Sequence, residues 1–370
     1  MEPLRILMLF TILNRGGAES MVMNYFRHID RTKVVFDFMV HRQERGAYDD
    51  EVEALGGRIY RMLPFHPPFI AYKKQVSSFF DNHPEYKIIH GHCSESGYFV
   101  YKEASKRGIP VIIAHAHSAK AMFDFKWFFR TWFKYRMRKY ITHSFTCGLE
   151  AAEWLVGEDL AKHAIFQKNA IDTQIYRFDN NIAMAKRHEL GVKDDAIVIG
   201  HVGSFWKIKN QSFLIDIFNV FLKKHTLSYL LLVGEGELKK MMIEKVNSLG
   251  IQEHVKFLGS RDDVPSLLMA MDVFVFPSFG EGFSLAMLEA QCAGLQVLAS
   301  DTIPHEIALT NLIKFSSLDD GADKWAYTID CLLSRKVERT CYPSQILRQG
   351  YDIRQNAEWL QHWYLERING

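Results

Sequence analysis

Short apolar runs alternate with helix-length amphipathic segments along almost the whole chain. The apolar runs cover residues 5–11, 34–40, 58–62, 87–90, 110–114 and 141–146 in the first half, and 197–203, 229–233, 255–258, 272–276 and 296–300 in the second. The amphipathic segments between them include 16–28, 46–55, 95–107, 211–224, 237–249 and 284–293. This alternation predicts an α/β fold in which doubly wound domains carry parallel sheets covered by helices.

The length of the chain predicts more than one domain. At 370 residues it exceeds the size of a typical single hydrophobic core. The polar stretch 169–195 lacks a clear strand pattern, and we place the domain junction there. We therefore predict a first domain over 1–175, a second over 176–350 and an amphipathic helix over 351–370. In a two-domain α/β protein, the cleft between the domains is the expected ligand site.

Composition narrows the class of protein. A net charge of +2 is too balanced to indicate a nucleic-acid partner. The five cysteines are isolated, which favours a reducing cytoplasm and argues against a zinc site or a disulfide framework. The apolar stretch 4–13 is far shorter than the roughly 20 residues of a membrane span. We therefore expect a cytoplasmic protein that is soluble or peripheral to a membrane.

The segment 277–289 carries the most informative pattern. The apolar run 272–276 is typical of a buried parallel strand, and a helix is predicted to begin near Ser284, a favourable N-cap residue. The loop between them contains Gly280 and Gly282. A helix N-terminus at the carboxyl end of a strand directs backbone N–H groups toward a bound anion. The segment therefore predicts an anion site.

Two carboxylates, Glu281 and Glu289, flank this anion site. Beside a bare phosphate both would be repulsive, whereas a carboxylate readily accepts hydrogen bonds from hydroxyl groups. A ligand that carries both phosphate and hydroxyls removes the contradiction. The pair therefore predicts a sugar nucleotide as the ligand.

Glycine-containing turns follow other predicted strands as well. Gly16 and Gly17 lie between the first strand and the first helix, where they permit close approach of a ligand or simply reverse the chain. Lys209 lies just ahead of a helix in the turn 202–211, where it neutralises a diphosphate or is a solvated side chain.

Two more turns have the same character. One covers 231–236 and contains Gly234, and the other covers 258–265 and contains Arg261. Arg261 and the neighbouring backbone are candidates to hold a base or a phosphate edge. Four such turns at the carboxyl ends of strands indicate a ligand site more strongly than any single turn does.

His115 and His117 follow the apolar run 110–114. At positions i and i+2 they share one side of an extended chain, as a metal pair would. No carboxylate or thiol lies nearby in the sequence to complete a metal site. A polar contact to a sugar hydroxyl or a phosphate is favoured, and structural histidines are the remaining alternative. We therefore predict no metal.

Basic and aromatic residues are concentrated in 126–140, which holds six basic and seven aromatic side chains. Such a helix is typical of a face that lies on a membrane containing anionic lipid. The alternative is a core-facing helix with a basic solvent side. We favour the membrane surface, because seven aromatic side chains are too many for one buried stripe.

Together these motifs resemble those of the retaining glycosyltransferases of family 4, and the resemblance is strongest to bacterial enzymes of exopolysaccharide or capsule assembly. The signature of that family, two glutamates separated by seven residues, matches Glu281 and Glu289. The other motifs follow in the family's order over nearly the whole chain. They lie at 14–19, 115–117, 168–172, 202–211, 233–236 and 259–264. The resemblance implies the GT-B fold, with two Rossmann-like domains facing each other across a cleft and a C-terminal helix that crosses back to the first domain.

The resemblance also implies roles for individual residues. Glu281 would contact hydroxyls of the donor sugar, Glu289 would hold the ribose hydroxyls, and Lys209 would balance the charge of the departing diphosphate. His117 would contact the donor sugar or assist transfer, with His115 as the second candidate for that role. The other donor-binding positions that the resemblance implies are Gly16, Gly17, Ser204, Gly234, Arg261, Val264, Gly282, Phe283 and Ser284.

Two positions depart from the family pattern. Ser204 stands where the family often has an arginine on the diphosphate, and Lys207 or Arg15 is a candidate to replace that charge. Ala170 stands where the family has a glycine, a change that concerns a turn. Weaker stabilisation of the leaving group raises the barrier to transfer. Ser204 therefore keeps a second function open, that of a non-catalytic accessory subunit that binds a nucleotide sugar.

The implied reaction is sugar transfer from a nucleoside diphosphate-sugar, with UDP favoured by the resemblance, to a hydroxyl of a glycan acceptor. We expect a lipid-linked acceptor and retention at the anomeric carbon. No cofactor and no divalent metal are expected, because lysine and helix dipoles take over the role of the metal. A sugar-nucleotide epimerase of similar architecture is a third and less favoured function.

Overall fold

The computed structural model of the protein describes residues 2–117 and 127–369. Lys126, the first residue of the basic aromatic segment 126–140, lies outside the described residues. The chain divides into two compact units, one formed by Met1–Ala170 with Ile353–Gly370 and the other by Ile171–Asp352. Among the described residues, no helix has both the length and the apolar character that crossing a membrane requires.

The first unit contains a seven-stranded sheet in the order β3-β2-β1-β4-β5-β6-β7. Its strands are β1 (Leu4–Phe10), β2 (Val34–Val40), β3 (Ile59–Arg61), β4 (Ile88–Gly91), β5 (Val111–Ala116), β6 (His143–Thr146) and β7 (Ile165–Phe166). All neighbouring strands pair in parallel, so their carboxyl ends lie at one edge of the sheet. The register places His90 on β4 opposite Ile113 on β5.

Helices cover both faces of this sheet. They are α1 (Gly17–His28), α2 (Asp49–Ala54), α3 (Ile70–Asn82), α4 (Tyr98–Lys106), α5 (Trp127–Met137), α6 (Leu149–Val156), α7 (Glu158–Ala161) and the C-terminal helix (Ile353–Asn369). Residues of α3 to α6 share one buried cluster with Met39 of β2. Tyr364 of the C-terminal helix contacts Phe36, whose side chain points to the opposite face because strand residues alternate.

The second unit contains a six-stranded sheet in the order β10-β9-β8-β11-β12-β13. Its strands are β8 (Ile197–Val202), β9 (Ser228–Val233), β10 (Val255–Gly259), β11 (Val273–Phe276), β12 (Gln296–Ser300) and β13 (Ile313–Ser316). These strands are also parallel. The order reverses between β8 and β11, the position at which ligands bind in open α/β sheets.

The helices of the second unit surround this sheet. They are α8 (Asn180–Glu189), α9 (Gln211–Lys224), α10 (Lys239–Ser248), α11 (Val264–Ala270), α12 (Leu285–Cys292), α13 (Gly321–Leu333) and α14 (Tyr342–Arg348). Phe218 of α9, Leu230 of β9 and Trp325 of α13 are fully buried in one cluster. Apolar burial of this extent is the main source of stability for such a unit.

The predicted α/β architecture is confirmed, and the differences lie mainly at edges and helix starts. The edge strands β7 and β13 were not predicted, because one has only two residues and the other is incompletely buried. The sequence prediction also omitted α3, although Tyr72, Val76 and Phe79 have helical spacing and are buried. The helix predicted from residue 95 begins as a 3-10 turn over Glu95–Gly97, and α4 follows it.

The predicted C-terminal helix is confirmed and belongs to the first unit. The Gln361 side chain accepts a hydrogen bond from the backbone N–H of Asp30 at 2.9 Å. The hydroxyl of Tyr364 lies 2.6 Å from Nδ1 of His90. These two polar contacts fix the helix on the first unit together with the contact between Tyr364 and Phe36.

Candidate active site

Backbone hydrogen bonds join three strand-to-helix turns of the second unit to one another. The N–H of Phe205 donates to the carbonyl of Glu235 at 2.9 Å, and the N–H of Gly234 donates to the carbonyl of Gly259 at 2.8 Å. A Cβ atom on Gly234 would lie 2.3 Å from the carbonyl oxygen of Gly203, and its φ is +138°, so only glycine fits there. The structure thus brings together the turns after β8, β9 and β10, three of the four that the sequence indicated.

Hydrogen bonds also fix the loop after β11 to the turn after β8. The N–H of Phe279 donates to the carbonyl of Ile208 at 2.8 Å, and Nδ2 of Asn210 donates to the carbonyl of Pro277 at 3.1 Å. α12 then begins with Ser284 in the N-cap position, as predicted, but the Ser284 side chain makes no capping hydrogen bond. The first N–H groups of α12 are therefore left uncapped by that side chain, as anion binding requires.

Lys209 and Glu281 form an ion pair at this edge of the sheet. Nζ of Lys209 lies 2.7 Å from Oε1 of Glu281, and the two side chains are only 17% and 15% exposed. Nζ also lies 5.0 Å from the centre of the Phe276 ring. Separating a shielded ion pair is costly unless a ligand replaces both partners. A phosphate can replace Glu281 at the ammonium while a hydroxyl replaces the ammonium at Glu281, so the pair favours a ligand with both groups.

Glu289 lies on α12 and is only partly accessible. Desolvation raises the pKa of its carboxyl to about 7, although a hydrogen bond with Tyr176 acts in the opposite direction. Burial also raises the pKa of the Cys292 thiol, and the neighbouring Glu289 contributes to that shift. A carboxyl that is partly protonated at neutral pH gains from hydroxyl donors that stabilise its charged form. Glu289 is thus suited to bind a diol.

Two residues that were predicted to bind the nucleotide sugar, Arg261 and Ser204, have hydrogen-bond partners within the protein. The guanidinium of Arg261 donates to Asp263 at 2.7 Å and to Glu189 at 3.0 Å, and these carboxylates raise the pKa of Arg261. Its charge is therefore neutralised within the second unit. The carbonyl of Ser204 accepts a hydrogen bond from Nε2 of Gln211 at 2.9 Å, and the serine side chain brings no charge.

Lys207 is the candidate within the second unit for the charge that Ser204 lacks. It lies in the 3-10 turn Lys207–Lys209, is exposed and has no ion pair with a described residue. Arg15, the other candidate, belongs to the first unit, where its guanidinium lies 5.9 Å from the centre of the Tyr48 ring. Val264 is the first residue of α11.

The turn at Gly16 and Gly17 ends β1 and starts α1, as predicted. A Cβ atom on Gly16 would lie 2.3 Å from Oε2 of Glu19, so the glutamate side chain folds back onto the turn. Burial raises the pKa of Glu19 to about 7. Sequence reasoning did not single out this carboxyl. Its signal was a glutamate three residues after the N-cap, the spacing of a capping box.

Four histidines, not two, meet at the carboxyl ends of β4 and β5. His115 and His117 stack with ring centroids 4.3 Å apart, and His90 and His92 stack at 4.5 Å. Nε2 of His90 lies 3.1 Å from Nδ1 of His115, and Nδ1 of His92 lies 2.9 Å from Nε2 of His117. Sequence reasoning missed His90 and His92, although their spacing repeats that of the other two on the adjacent strand.

Burial keeps all four imidazoles neutral. It lowers the pKa of His90 to about 3 and that of His117 to about 4, and it lowers the pKa values of His92 and His115 well below the ordinary value. Ring nitrogens of His90, His92 and His115 lie within 4.8 Å of one another, so these residues are candidates to hold a metal ion. Nε2 of His90 and Nδ1 of His115 already face each other in a hydrogen bond, so a metal ion at this position would have to replace that contact. The absence of a metal stays a prediction.

Comparison with known proteins identifies the family. The chain is 30% identical over 370 residues to EpsF of Bacillus subtilis (strain 168), a protein named as a glycosyltransferase; the match covers 97% of this chain and 96% of that protein. Residues 196–335 match the family described as Glycosyl transferases group 1. The chain belongs to the group 1 glycosyltransferases.

Two further relatives of this glycosyltransferase are bacterial proteins that are also named as sugar transferases. It is 24% identical to the UDP-Gal:alpha-D-GlcNAc-diphosphoundecaprenol alpha-1,3-galactosyltransferase of Escherichia coli, over 77% of this chain and 76% of that enzyme. It is also 24% identical to the capsular polysaccharide biosynthesis glycosyltransferase CapH of Staphylococcus aureus, over 98% of this chain and 99% of that enzyme.

The predicted GT-B fold of the glycosyltransferase is confirmed. The crystal structure of Anabaena HepE in complex with UDP-glucose matches with a TM-score of 0.80 at 18% identity. The match covers 98% of this chain and 99% of that chain. At this identity the likeness concerns the fold alone.

The described part of the predicted basic aromatic helix forms α5 of the glycosyltransferase. Phe133 and Met137 are buried, so one stripe of the helix packs on the core. Four other aromatic side chains are 45% to 70% exposed, and these are Phe128, Phe129, Trp132 and Tyr135. Exposed aromatics among basic residues are characteristic of an interfacial helix, whereas a purely core-facing helix would bury them.

The substitution Glu289→Gln is expected to remove a pH dependence of stability from the second unit. Between the ordinary pKa of 4.5 and the folded-state pKa of about 7, the folded carboxyl keeps a proton that the unfolded chain releases. Wild-type stability therefore falls as the pH rises through this window, by roughly 2 kcal/mol for a partly accessible group. Urea unfolding near pH 5 and near pH 8 measures the fall.

The matched control for this measurement is Glu244→Gln, at an exposed position of α10. It should keep the wild-type pH profile. Equal falls in stability for the wild type and Glu289→Gln between these pH values would contradict the raised pKa of Glu289.

Proposed function

We propose that this glycosyltransferase is a retaining enzyme of family 4 that transfers a sugar from a UDP-sugar to a hydroxyl of a lipid-linked glycan. The observation that carries the proposal is the ion pair of Lys209 and Glu281 beside the uncapped N-terminus of α12. A diphosphate with an attached sugar offers partners to the lysine, the glutamate and the helix N–H groups together. The UDP-Gal donor in the name of the E. coli relative and the UDP-glucose bound to HepE support UDP.

In this proposal Lys209 and the N–H groups from Gly282 to Ser284 stabilise the leaving diphosphate. Negative charge grows on that group as its bond to the anomeric carbon breaks, so a cation and a helix dipole placed there lower the barrier. The acceptor hydroxyl bonds to the same face of the anomeric carbon and gives its proton to the departing diphosphate. Glu281, freed from Lys209, accepts hydrogen bonds from sugar hydroxyls.

An aromatic stacking contact supports the loop that binds the diphosphate in this proposal. The Phe283 ring stacks on that of Tyr351 with centroids 4.9 Å apart and planes within 4°. This contact limits movement of the loop between Gly282 and Ser284, which favours a binding site that is formed before the ligand arrives. Glu289 binds the ribose hydroxyls, and Val264 with the Arg261 region lies near the base.

His117 contacts the transferred sugar in this proposal, with His115 as the second candidate. His117 is the more suitable of the two, because it is partly accessible whereas His115 is 2% exposed. A neutral imidazole donates one hydrogen bond and accepts another, which suits a sugar hydroxyl. In the turn after β1, Gly17 leaves the backbone open to close approach by a substrate, whereas at Gly16 the Glu19 side chain occupies the position of a side chain and a substrate would have to displace it.

A non-catalytic accessory subunit is the second candidate function, and Ser204 is the residue that favours it. Lys207 of the second unit or Arg15 of the first is the candidate to replace the cation that is missing at Ser204. The three relatives described above are all named as transferases, which does not favour a subunit without activity. Binding of UDP without transfer or hydrolysis of any donor would favour the accessory role.

We further propose that the enzyme works at the cytoplasmic face of the membrane in exopolysaccharide, capsule or O-antigen assembly. The diphosphoundecaprenol acceptor in the name of the E. coli relative supports a lipid-linked acceptor. The exposed aromatics of α5 lie among basic residues, so this helix can bury its rings in the interface while its charges attract anionic headgroups.

The substitution Glu281→Ala should lower the rate of sugar transfer by at least about 100-fold while leaving the fold intact. It removes the acceptor of the sugar hydroxyls and leaves Lys209 without its partner. Transfer is measured by mass spectrometry of products from UDP-glucose, UDP-galactose and UDP-N-acetylglucosamine with undecaprenyl diphosphate-linked acceptors. Glu306→Ala, at an exposed site of the same unit, is the control and should keep wild-type turnover. Near wild-type turnover by Glu281→Ala would refute the assignment of the site.

Removal of divalent cations should leave the transfer rate unchanged. Lys209 and the helix N-terminus supply the positive potential that a metal would otherwise provide. The rate is measured with excess EDTA and again after addition of Mg²⁺ or Mn²⁺. A loss of activity in EDTA that either ion restores would overturn the metal-free mechanism.

The double substitution Phe128→Ser with Trp132→Ser should weaken binding to vesicles of phosphatidylglycerol and phosphatidylcholine by at least about 10-fold. Burial of a large apolar side chain contributes about 1.5–3 kcal/mol, so loss of two rings exceeds this threshold. Sedimentation with the vesicles measures the bound fraction. The double substitution Met241→Ser with Tyr327→Ser, at exposed apolar positions of the second unit, is the control. Equal binding by wild type and the α5 variant would exclude α5 as the membrane face.

A further inference from the structure

His92 forms a hydrogen bond with His117 and thereby orients the His117 ring. Nδ1 of His92 and Nε2 of His117 are 2.9 Å apart, the one hydrogen bond that the His117 ring makes within the described residues. The His92 ring is itself stacked on Phe10, at 4.7 Å and 10°, and on His90, at 4.5 Å and 16°. A ring stacked on two others cannot turn freely, so His92 fixes the direction of its hydrogen bond to His117.

The surroundings of His92 also decide which atom carries the shared proton. Both rings are neutral, so the two facing nitrogens have one proton between them. Nε2 of His92 is buried without a partner among the described residues. A buried N–H without an acceptor is tolerated less well than a buried lone pair without a donor. The proton therefore belongs on Nδ1 of His92, which donates to Nε2 of His117.

This assignment determines what His117 presents to a ligand. With its Nε2 accepting from His92, a neutral His117 must carry its own proton on Nδ1. Nδ1 of His117 has no hydrogen-bond partner within residues 2–117 and 127–369. His117 is thus a hydrogen-bond donor through Nδ1, with its acceptor nitrogen already occupied.

We propose that His92 is a positioning residue for sugar transfer, which orients His117 and sets the tautomer whose Nδ1–H donates to an oxygen of the transferred sugar. The inference rests on the proposed function, in which His117 contacts that sugar. His92 itself does not touch the substrate and acts through His117 alone.

The neighbouring histidine pair offers a matched control. Nε2 of His90 lies 3.1 Å from Nδ1 of His115, a contact of the same kind between the same two strands. This pair ends at the buried hydroxyl of Tyr364 on one side and at the buried His115 on the other. The substitution His90→Phe removes the polar contact with His115 but keeps an aromatic ring against His92, so the contact between His92 and His117 is retained.

The tautomer is measured directly by the ¹⁵N chemical shifts of histidine-labelled protein. We expect His117 to carry its proton on Nδ1 in the wild type and in His92→Asn, because the asparagine amide lies near the position of Nδ1 and donates in its place. In His92→Leu, His117 should revert to the Nε2–H form that an isolated imidazole prefers. An Nε2–H form of His117 in the wild type would overturn the proposal.

Kinetics test whether this contact serves transfer. His92→Leu should lower kcat/KM for transfer from the active UDP-sugar about 10-fold, the effect of one lost hydrogen bond, and His92→Asn should restore most of it. His90→Phe, which keeps a ring stacked on His92, should keep the wild-type kcat/KM. Titration calorimetry should give the same affinity for UDP in the wild type and in His92→Leu, because His117 contacts the sugar and not the nucleotide.

A double-mutant cycle separates positioning from general structural support. The double variant His92→Leu with His117→Ala should be no slower than His117→Ala alone, because His92 acts through His117. Additive losses, or an equal loss with His90→Phe, would overturn the proposal. Wild-type turnover by Glu281→Ala would instead refute the proposed site, and the ¹⁵N measurement would still decide whether His92 sets the tautomer of His117.

Discussion

Ionisable side chains at the carboxyl ends of the parallel strands are shielded from water. Shielding a charged group costs free energy, and both units depend on how that cost is met. A shielded charge is stable only when it is paired or hydrogen-bonded; otherwise its pKa shifts until the group is neutral. Lys209 and Glu281 meet the cost by pairing, and Glu289 meets it through a raised pKa. In the first unit, His92 and His117 stay neutral and hydrogen-bond each other.

In the proposed function, the second unit binds a ligand that carries both phosphate and hydroxyl groups. The close approach of Gly234 to Gly203 and the hydrogen bonds from Phe279 and Asn210 fix the loops, so ligand binding needs little further ordering of the backbone. The Lys209–Glu281 pair is exchanged without leaving an unpaired charge only when phosphate and hydroxyl arrive together. This requirement fits a sugar nucleotide better than it fits a free phosphate or a neutral sugar.

Much of the architecture was predictable from local patterns. Continuous apolar runs such as 272–276 marked the parallel strands, because strands that are buried on both faces need apolar side chains throughout. The edge strands β7 and β13 escaped prediction, since one has only two residues and the other is incompletely buried. The helix start at Ser284 followed from N-cap chemistry. The neutralisation of Arg261 by Glu189 was not predictable, because 72 residues separate the two along the chain.

The amino-acid sequence by itself determined the α/β alternation and the positions of the glutamates at 281 and 289, because these depend on short-range periodicity and motif spacing. The GT-B fold was implied by the resemblance of its motifs to those of a known family. Only the tertiary structure decided that Lys209 and Glu281 are partners and that His90 and His92 join His115 and His117. Such contacts arise from the order and register in which strands that are distant in sequence pair. Their protonation depends on burial, which is a property of the packed unit and not of any segment alone.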